Sequence, residues 1–281
     1  MTSLVRTVPS RLLNDGNEIP ALGLGTYGLR GEAGTASVLE ALDVGYRLLD
    51  TALNYENERE VGDAVRASSV PRESILVTTK LPGRHHGFDE TRASFAESLG
   101  NLGLDYVDLY LIHWPLPRIN RYIDSWRAMI QLRDAGLVRS IGVSNFTQEQ
   151  ITRLLAATGV APAVNQIELH PRFPQQAMRE FNTNHGIVTE SWSPLAVRSE
   201  LTSNPVVAAV AEAHGVTPTQ AVLRWHIQLG AVPIPKSADP TRQRENIDVF
   251  GFELTDAEVE SISALESGRL WGADPDTHEE F

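Results

Sequence analysis

The sequence predicts an α/β fold: a single closed (β/α)8 barrel, the TIM-barrel architecture, with an N-terminal β-hairpin and an extra C-terminal helix and tail. Three observations carry that expectation. Segments rich in Val, Ile, Leu and Tyr recur around residues 20–25, 46–50, 75–80, 107–113, 138–143, 163–169, 187–192 and 231–235. Between them lie stretches such as TASVLEALDVG, DETRASFAESLGNLG, YIDSWRAMIQLRDAG and QEQITRLLAATG, in which apolar residues return at helical three- and four-residue spacing. The strand segments are almost continuously apolar, as strands covered on both faces must be, so the alternation implies parallel pairing through right-handed crossovers.

In chain order, residues 5–18 come first. Two short apolar pieces flank Pro9-Ser10, and Asn14-Asp15-Gly16 signals a turn, which predicts a hairpin plugging the barrel floor. The first strand leads into Gly23-Leu24-Gly25-Thr26-Tyr27-Gly28, a literal G-x-G-x-x-G, with Asp50 at the distance where a doubly wound dinucleotide fold places its ribose-binding acid. That fingerprint needs a helix opening at the glycines. Here Leu29-Arg30-Gly31-Glu32-Ala33-Gly34 adds two more glycines before helical periodicity begins, and Pro20 removes a ladder donor from the preceding strand. The better reading is a tight turn whose backbone lies close to whatever fills the barrel mouth. Helix starts are marked by capping boxes at Thr147/Gln150 and Thr255/Glu258, and by a cap before a first-turn proline at Asn204-Pro205, Thr217-Pro218 and Asp239-Pro240. After the eighth strand, 240–248 makes its helix, 255–266 an extra one, and SGRLWGADPDTHEEF a polar tail. No linker, low-complexity tract or charge block divides the chain, so residues 1–281 read as one domain.

Composition narrows the function. A chain of 281 residues suits one α/β barrel, a fold that typically takes ~250. A formal charge of −12 opposes nonspecific binding to nucleic acid or anionic membranes, which depends on clustered positive charge. Cysteine is absent, which excludes disulfides, thiol catalysis and cysteine-ligated metals. The N-terminal segment has no apolar signal core, and no run approaches the ~20 apolar residues of a spanning helix, so a cytoplasmic protein is expected. Asn145-Phe146-Thr147 matches a glycosylation pattern that carries no meaning without a secretory route.

Four reactive side chains stand at or just past strand ends: Asp50 in YRLLD with Tyr55 just after it, Lys80 in ILVTTK and His113 in VDLYLIH. A carboxylate, a phenol, an ammonium and an imidazole arriving together at the mouth of a parallel barrel could form one acid-base site. Taken alone, His113 suits a hydrogen-bonded core position and Tyr55 a loop, but Lys80 at a buried strand end requires a partner. One local exception to the acidic charge lies at 236–246. Lys236 ends the eighth strand, Pro240 opens a helix, and Arg242, Glu245 and Asn246 share a face by their spacing, so positive side chains and helix N–H groups together would suit a phosphate. His85 and His86 read as a solvated loop without metal-pair spacing, and His170 and His226 as structural.

Read together, GLGTYG, LLDTALNYENEREVG, VTTKLPG, LYLIHWP, IGVSNF, NQIELHP, SWSPL and IPKS…R..EN show that the chain resembles the aldo-keto reductases over nearly its whole length. Trp192-Ser193-Pro194-Leu195 brings it nearest to the bacterial 2,5-diketo-D-gluconate reductase-like branch. The resemblance implies NADPH extended across the barrel mouth and reduction of small aldehydes or ketones by a monomer. It assigns Tyr55 as general acid, Lys80 and Asp50 as the groups that ease its proton transfer, and His113 as the group that orients the carbonyl. It also gives the nicotinamide carboxamide to Ser144, Asn145 and Gln166, stacking to Trp192, and the pyrophosphate path to Ser193 and Leu195. Gly25, Thr26 and Asp50 lie on the cofactor side as well. Lys236, Ser237 and Arg242 hold the 2′-phosphate, Ala238 lies on the cofactor side beside them, and Glu245 and Asn246 lie near adenine. Tyr27, Trp114 and Trp271 become pocket walls, and the short loop after Trp114 suggests an open pocket. No metal is required. Two other functions compete: a barrel aldolase forming a Schiff base through Lys80, and a regulatory subunit that keeps the cofactor without turnover.

Overall fold

The computed structural model describes residues 8–197 and 199–280. Strands β1 (Ser10–Leu12) and β2 (Glu18–Pro20) pair antiparallel with Ser10 opposite Pro20, giving the expected hairpin; residues 5–7 of that expectation lie outside the described residues. The hairpin is displaced towards higher numbers and takes Pro20, leaving the first barrel strand β3 only Leu24–Gly25. Ile19 and Leu13 are buried against Leu48, Leu109, Leu111, Val164 and Val232, so the hairpin closes the barrel floor.

The remaining strands follow in chain order: β4 (Leu48–Asp50), β5 (Leu76–Leu81), β6 (Val107–Ile112), β7 (Val138–Ser144), β8 (Val164–Glu168), β9 (Val188–Trp192) and β10 (Val232–Pro233). Each pairs in parallel with its predecessor, from β3 at one end to β10 at the other. Closure is made by Gly23 and Gly25, whose N–H groups donate to Pro233 O at 3.0 Å and Pro235 O at 3.2 Å. Ile234, between the prolines, turns the other way and donates to Ser191 O at 3.2 Å. Pro233 and Pro235 have no N–H to return, so at those two residues the joint carries only carbonyl acceptors, and a parallel bridge between Gly25 and Lys236 continues it. The glycines are needed there: a Cβ on Gly25 would lie 2.9 Å from Ile234 O, and one on Gly23 2.5 Å from the Leu48 side chain.

Helices α1 (Gly31–Val44), α2 (Glu58–Ala67), α3 (Phe88–Leu102), α4 (Tyr122–Asp134), α5 (Gln148–Thr158), α6 (Gln176–Asn184), α7 (Pro205–His214), α8 (Pro218–Gln228), α9 (Pro240–Ile247) and α10 (Asp256–Ser263) wrap the strands. The sequence predicts one extra helix, but α7 and α8 both lie between β9 and β10, so α7 joins α10 outside the eightfold alternation. The two meet through His214 and Glu258 at 3.0 Å. All five marked helix starts are capped as expected, three by capping boxes. Helix α1 begins at Gly31, sooner than the glycines suggested, yet Gly28 with φ +76° still ends a turn rather than opening that helix.

Buried side chains such as Val38, Leu42, Val61, Phe95, Trp126, Ile151 and Leu223 fill the layer between helices and strands. Full burial of each aliphatic or aromatic side chain of this kind stabilises by about 1.5–3 kcal/mol. Inside the barrel the chemistry changes along each strand. The two-residue period points Leu48 and Asp50, Thr78 and Lys80, Val164 and Gln166, and Val188 and Glu190 to the same side of their strands. Leu48, Val164 and Val188 join the apolar floor, whereas Asp50, Lys80, Gln166 and Glu190 are at most 1% exposed and gather above it.

Candidate active site

Strand β4 ends on Asp50, and the chain then enters a 3-10 turn, Leu53–Tyr55, that returns Tyr55 over the strand ends. Asn57 fixes this return: fully buried, it accepts from Thr51 Oγ1 at 2.7 Å and donates to Thr26 O at 2.7 Å and Leu29 O at 3.0 Å. Thr26 in turn donates through its N–H and Oγ1 to Asp50 O at 3.0 and 2.9 Å, so the turn after β3 is laced to the end of β4.

The four reactive groups meet. Lys80 Nζ lies 2.6 Å from Asp50 Oδ1, 2.9 Å from Thr51 O and 3.3 Å from the Tyr55 hydroxyl. The His113 and Tyr55 rings stand edge to face with centroids 5.9 Å apart. Burial alone would push the Lys80 ammonium down, but the charge of Asp50, with smaller help from Tyr55 and Glu190, carries it well above the usual lysine range. Lys80 is therefore held protonated. The resemblance implies that Lys80 eases proton loss from Tyr55. Lys80 does pull the phenol down, but burial outweighs it and, with Asp50 and Glu280 adding to the rise, takes Tyr55 up to about 12. The phenol is stocked with its proton, and the ammonium limits the cost of giving it up.

Below this group lies Glu190, which sequence reasoning missed. Gln166 Nε2 donates to both Asp50 Oδ2 and Glu190 Oε2 at 2.7 Å. Burial first, and the Asp50 charge second, push the Glu190 carboxyl up to about 8, against the opposing pull of Gln166 and Lys80. A neutral Glu190 leaves Lys80 and Asp50 as a balanced ion pair.

A cleft of about 580 Å³ opens above, lined by Gly25, Thr26, Tyr27, Asp50, Tyr55, His113, Trp114, Asn145, Gln166, Trp192, Ser193, Leu195, Lys236 and Trp271 among others. Of the expected carboxamide residues, Asn145 donates to His113 O at 3.1 Å and Ser144 Oγ at 3.0 Å and accepts from Trp192 Nε1 at 2.8 Å. Ser144 donates to Gln166 O at 2.9 Å and lies behind the lining. With both amide hydrogens of Gln166 spent on the carboxyl groups of Asp50 and Glu190, its carbonyl oxygen is left for the cleft, an acceptor suited to a ligand's carboxamide N–H. Ser193, in the left-handed region at φ +52°, accepts from Trp271 Nε1 at 3.0 Å, so its hydroxyl ties the tail to the cleft wall. Of the expected walls, Trp114 is buried, whereas Tyr27 and Trp271 are exposed.

The 236–246 segment needs one correction. Its helix offers no open N–H groups to an anion, because Asp239 Oδ1 accepts from Thr241 N at 2.8 Å and Arg242 N at 3.2 Å, and Pro240 has none. What remains are the exposed side chains of Lys236 and Arg242, neither within ion-pair distance of a carboxylate among the described residues, with Ala238 exposed between them. Ser237 is buried, its hydroxyl accepting from Asp239 N at 3.1 Å. The expected common face also divides: Glu245 turns to accept from Thr217 Oγ1 at 2.6 Å, and Asn246 is buried.

Among the histidines, His226 spans Ser191 Oγ at 3.1 Å and Pro194 O at 3.0 Å, and His170 faces Glu168 Oε1 at 3.1 Å, both structural as expected. His86 is not solvated. It is 3% exposed with neither ring nitrogen hydrogen-bonded, and burial pushes it down to about 4. Two tail contacts were also missed. Buried Glu168 Oε1 accepts from Leu270 N at 2.7 Å and Trp271 N at 3.3 Å, anchoring the segment that carries Trp271. Glu280 reaches His113 Nδ1 at 2.8 Å. Glu168 lies in NQIELHP at a strand end, where a charged residue needs a partner; nothing local marks Glu280 within an acidic tail.

Comparison with known proteins places these features in a wider set. The model of the aldo/keto reductase family matches residues 21–267. The chain is 62% identical over 274 residues to 2,5-diketo-D-gluconic acid reductase B of Corynebacterium sp. (strain SHS752001), covering 98% of this chain and 99% of that protein. Among solved structures, an aldo/keto reductase from Brucella melitensis superposes with a TM-score of 0.89 at 46% identity, covering 92% of this chain and all, 100%, of the other. A Bombyx mori aldo-keto reductase in complex with NADP gives a TM-score of 0.87 at 36% identity, covering 93% of this chain and 94% of its own.

Proposed function

Since the chain belongs to the aldo/keto reductase family, we propose that Asp50, Tyr55, Lys80 and His113 form its catalytic tetrad, with Tyr55 as the general acid. The protein is an NADP(H)-dependent oxidoreductase that reduces carbonyl groups of small aldehydes and ketones. The observation that carries the tetrad assignment is Lys80 Nζ, bound to Asp50 at 2.6 Å and within 3.3 Å of the Tyr55 hydroxyl, beneath a cleft that Tyr55 and His113 line.

NADPH, when bound, supplies the hydride that adds to the carbonyl carbon. Tyr55 gives its phenolic proton to the carbonyl oxygen as negative charge develops there, so that the oxygen stays on carbon as the hydroxyl of the alcohol product. Lys80 stabilises the phenolate left behind, and Asp50 with Thr51 O keeps the ammonium in place. His113 approaches the same oxygen and orients the carbonyl. Gln166 and Asn145 would receive the carboxamide, Trp192 the nicotinamide ring, and the cleft edge at Gly25, Thr26, Ser193 and Leu195 the pyrophosphate. Lys236 and Arg242, beside Ser237 and Ala238, would hold the 2′-phosphate through side chains alone.

A protonated, ion-paired Lys80 is the opposite of what a Schiff-base nucleophile needs, which disfavours the aldolase reading. A complete tetrad disfavours a cofactor-retaining regulatory subunit. We further infer a single-domain, cytoplasmic monomer. Among the described residues the exposed large apolar side chains Leu12, Leu137, Tyr27, Val197 and Trp271 supply a patch only at the cleft. Substrates are small polar carbonyl compounds, with 2,5-diketo-D-gluconate a rational first choice from the Corynebacterium relative.

Loss of NADPH absorbance over a panel of sugars, diketo acids, dicarbonyls and aromatic aldehydes tests this reading. Tyr55→Phe is expected to lower kcat by about 10²–10⁴-fold with NADPH still bound. Unchanged turnover in that variant would remove Tyr55 from the role.

A further inference from the structure

Gln166 and Glu190 are register partners on the adjacent strands β8 and β9, both at most 1% exposed inside the barrel. Gln166 Nε2 donates to Glu190 Oε2 at 2.7 Å, and the same nitrogen donates to Asp50 Oδ2 at 2.7 Å. Glu190 Oε1 has no hydrogen-bond partner, so among the described residues the one side-chain hydrogen bond of this carboxyl is with Gln166. Burying a carboxyl costs folding free energy that a single such bond offsets only in part, so stability alone does not account for Glu190. The main chain of Gln166 is fixed as well: its carbonyl oxygen accepts from Ser144 Oγ at 2.9 Å and Asn145 N at 2.8 Å. The residue is held at both ends, and its side-chain Oε1 is left to the cleft that it lines.

The two hydrogens of a primary amide lie in its plane, on the far side from its oxygen. One acceptor fixes only where the nitrogen points. Two acceptors, Asp50 at the end of β4 and Glu190 on β9, fix the plane itself and with it the direction of the Oε1 lone pairs. Protonated or not, a carboxyl keeps an oxygen that accepts, and Asp50, paired with Lys80, would repel Oε1 if the amide turned end for end. We propose that Glu190 is a positioning residue for the dinucleotide: by taking the second amide hydrogen of Gln166 it fixes the plane of that amide and aims Oε1 at the carboxamide N–H of the nicotinamide. This rests on the assignment of the carboxamide to Gln166 given above.

Trp192 belongs to the same arrangement. It stands two residues beyond Glu190, on the same side of β9, and its Nε1 donates to Asn145 Oδ1 at 2.8 Å. The residue that would stack on the ring and the residues that would hold its carboxamide are thus set by one stretch of strand. A carboxamide received in a fixed plane holds the ring against rotation about its bond to the ribose, so Glu190 acts on which way the ring faces without touching it.

The test measures dissociation constants for NADP+ and for its 3-acetylpyridine analogue by quenching of tryptophan fluorescence. The analogue carries a methyl ketone in place of the carboxamide and has no N–H to give to Gln166. The unaltered protein is expected to bind NADP+ about tenfold more tightly than the analogue, the effect of one hydrogen bond. In Glu190→Leu that preference should largely vanish through weaker binding of NADP+, with the analogue little changed. Glu190→Gln, whose amide oxygen takes the place of Oε2, should retain it, and in a Gln166→Met background Glu190→Leu should leave the ratio where Gln166→Met alone puts it. Glu190→Met repeats the measurement should Glu190→Leu not fold. A preference that survives in Glu190→Leu, even with both ligands weakened alike, or that is lost as fully in Glu190→Gln, would overturn the proposal and leave Glu190 a packing residue. Equal binding of the two ligands by the unaltered protein would instead overturn the assignment of the carboxamide to Gln166, and the role of Glu190 with it.

Discussion

Gln166 Nε2 donates to Asp50 Oδ2 at 2.7 Å, taking the carboxylate oxygen that Lys80, bound to Oδ1, leaves free. One carboxylate thereby joins β4, β5 and β8 among side chains at most 1% exposed. Both ions depend on each other, because either one left alone would be a buried, uncompensated charge.

Lys80→Met is accordingly expected to destabilise the fold by about 3–5 kcal/mol, far more than loss of a surface lysine. Adding Asp50→Asn to Lys80→Met should recover part of that loss, since the stranded carboxylate is removed. Denaturant unfolding of the two single variants and the double variant measures this directly. Additive losses would mean that the pair is not coupled as its geometry indicates.

Glu190 gives stability a pH dependence of known sign. Its carboxyl is held near 8 in the fold against an ordinary value of 4.5, so between those limits the folded chain keeps a proton that the unfolded chain has lost. Stability from this residue falls as pH rises through that window. Glu190→Gln stays neutral, so its unfolding free energy should gain on that of the unaltered protein progressively between about pH 4.5 and pH 8, by an amount on the order of a few kcal/mol, read as a Tm difference that widens through this window and then levels off. A difference in Tm that stays flat with pH would show that Glu190 is ionised in the fold.

Because Asp239 already occupies the N–H groups of α9, discrimination for a 2′-phosphate falls on Lys236 and Arg242. Lys236→Ala and Arg242→Ala should each raise KM for NADPH by about 10- to 100-fold, the equivalent of one charge-assisted hydrogen bond, and leave KM for NADH nearly unchanged. Steady-state kinetics with both cofactors and rising salt distinguishes this from a general loss of binding.

The barrel was legible because its strands, helix caps and turns are local signals, and Asp50, Lys80 and His113 are polar residues at the ends of apolar runs. Boundaries were less so. Pro20 belongs to the hairpin because a proline is tolerated at the end of a two-stranded ribbon, and α7 duplicates the helical step before β10. Glu190 escaped notice because in VTESW it occupies an inward position that only barrel closure makes interior. Glu280 meets His113 across most of the chain, a relation that no spacing rule reports. The helix-terminal anion site failed for a competing local reason: an aspartate before Pro240 is a good cap, and a good cap consumes the donors that an anion would use.

The joint between β3 and β10, where two prolines interrupt the ladder, has a consequence for ligand linkage. Gly25 and Lys236, which form a parallel bridge across it, both line the cleft, so a dinucleotide lying there spans the closure of the cylinder. Its binding would act as a rivet, converting affinity into circumferential strength. Slower exchange of the Gly23 and Gly25 amide hydrogens in the loaded protein is the signature of such reinforcement.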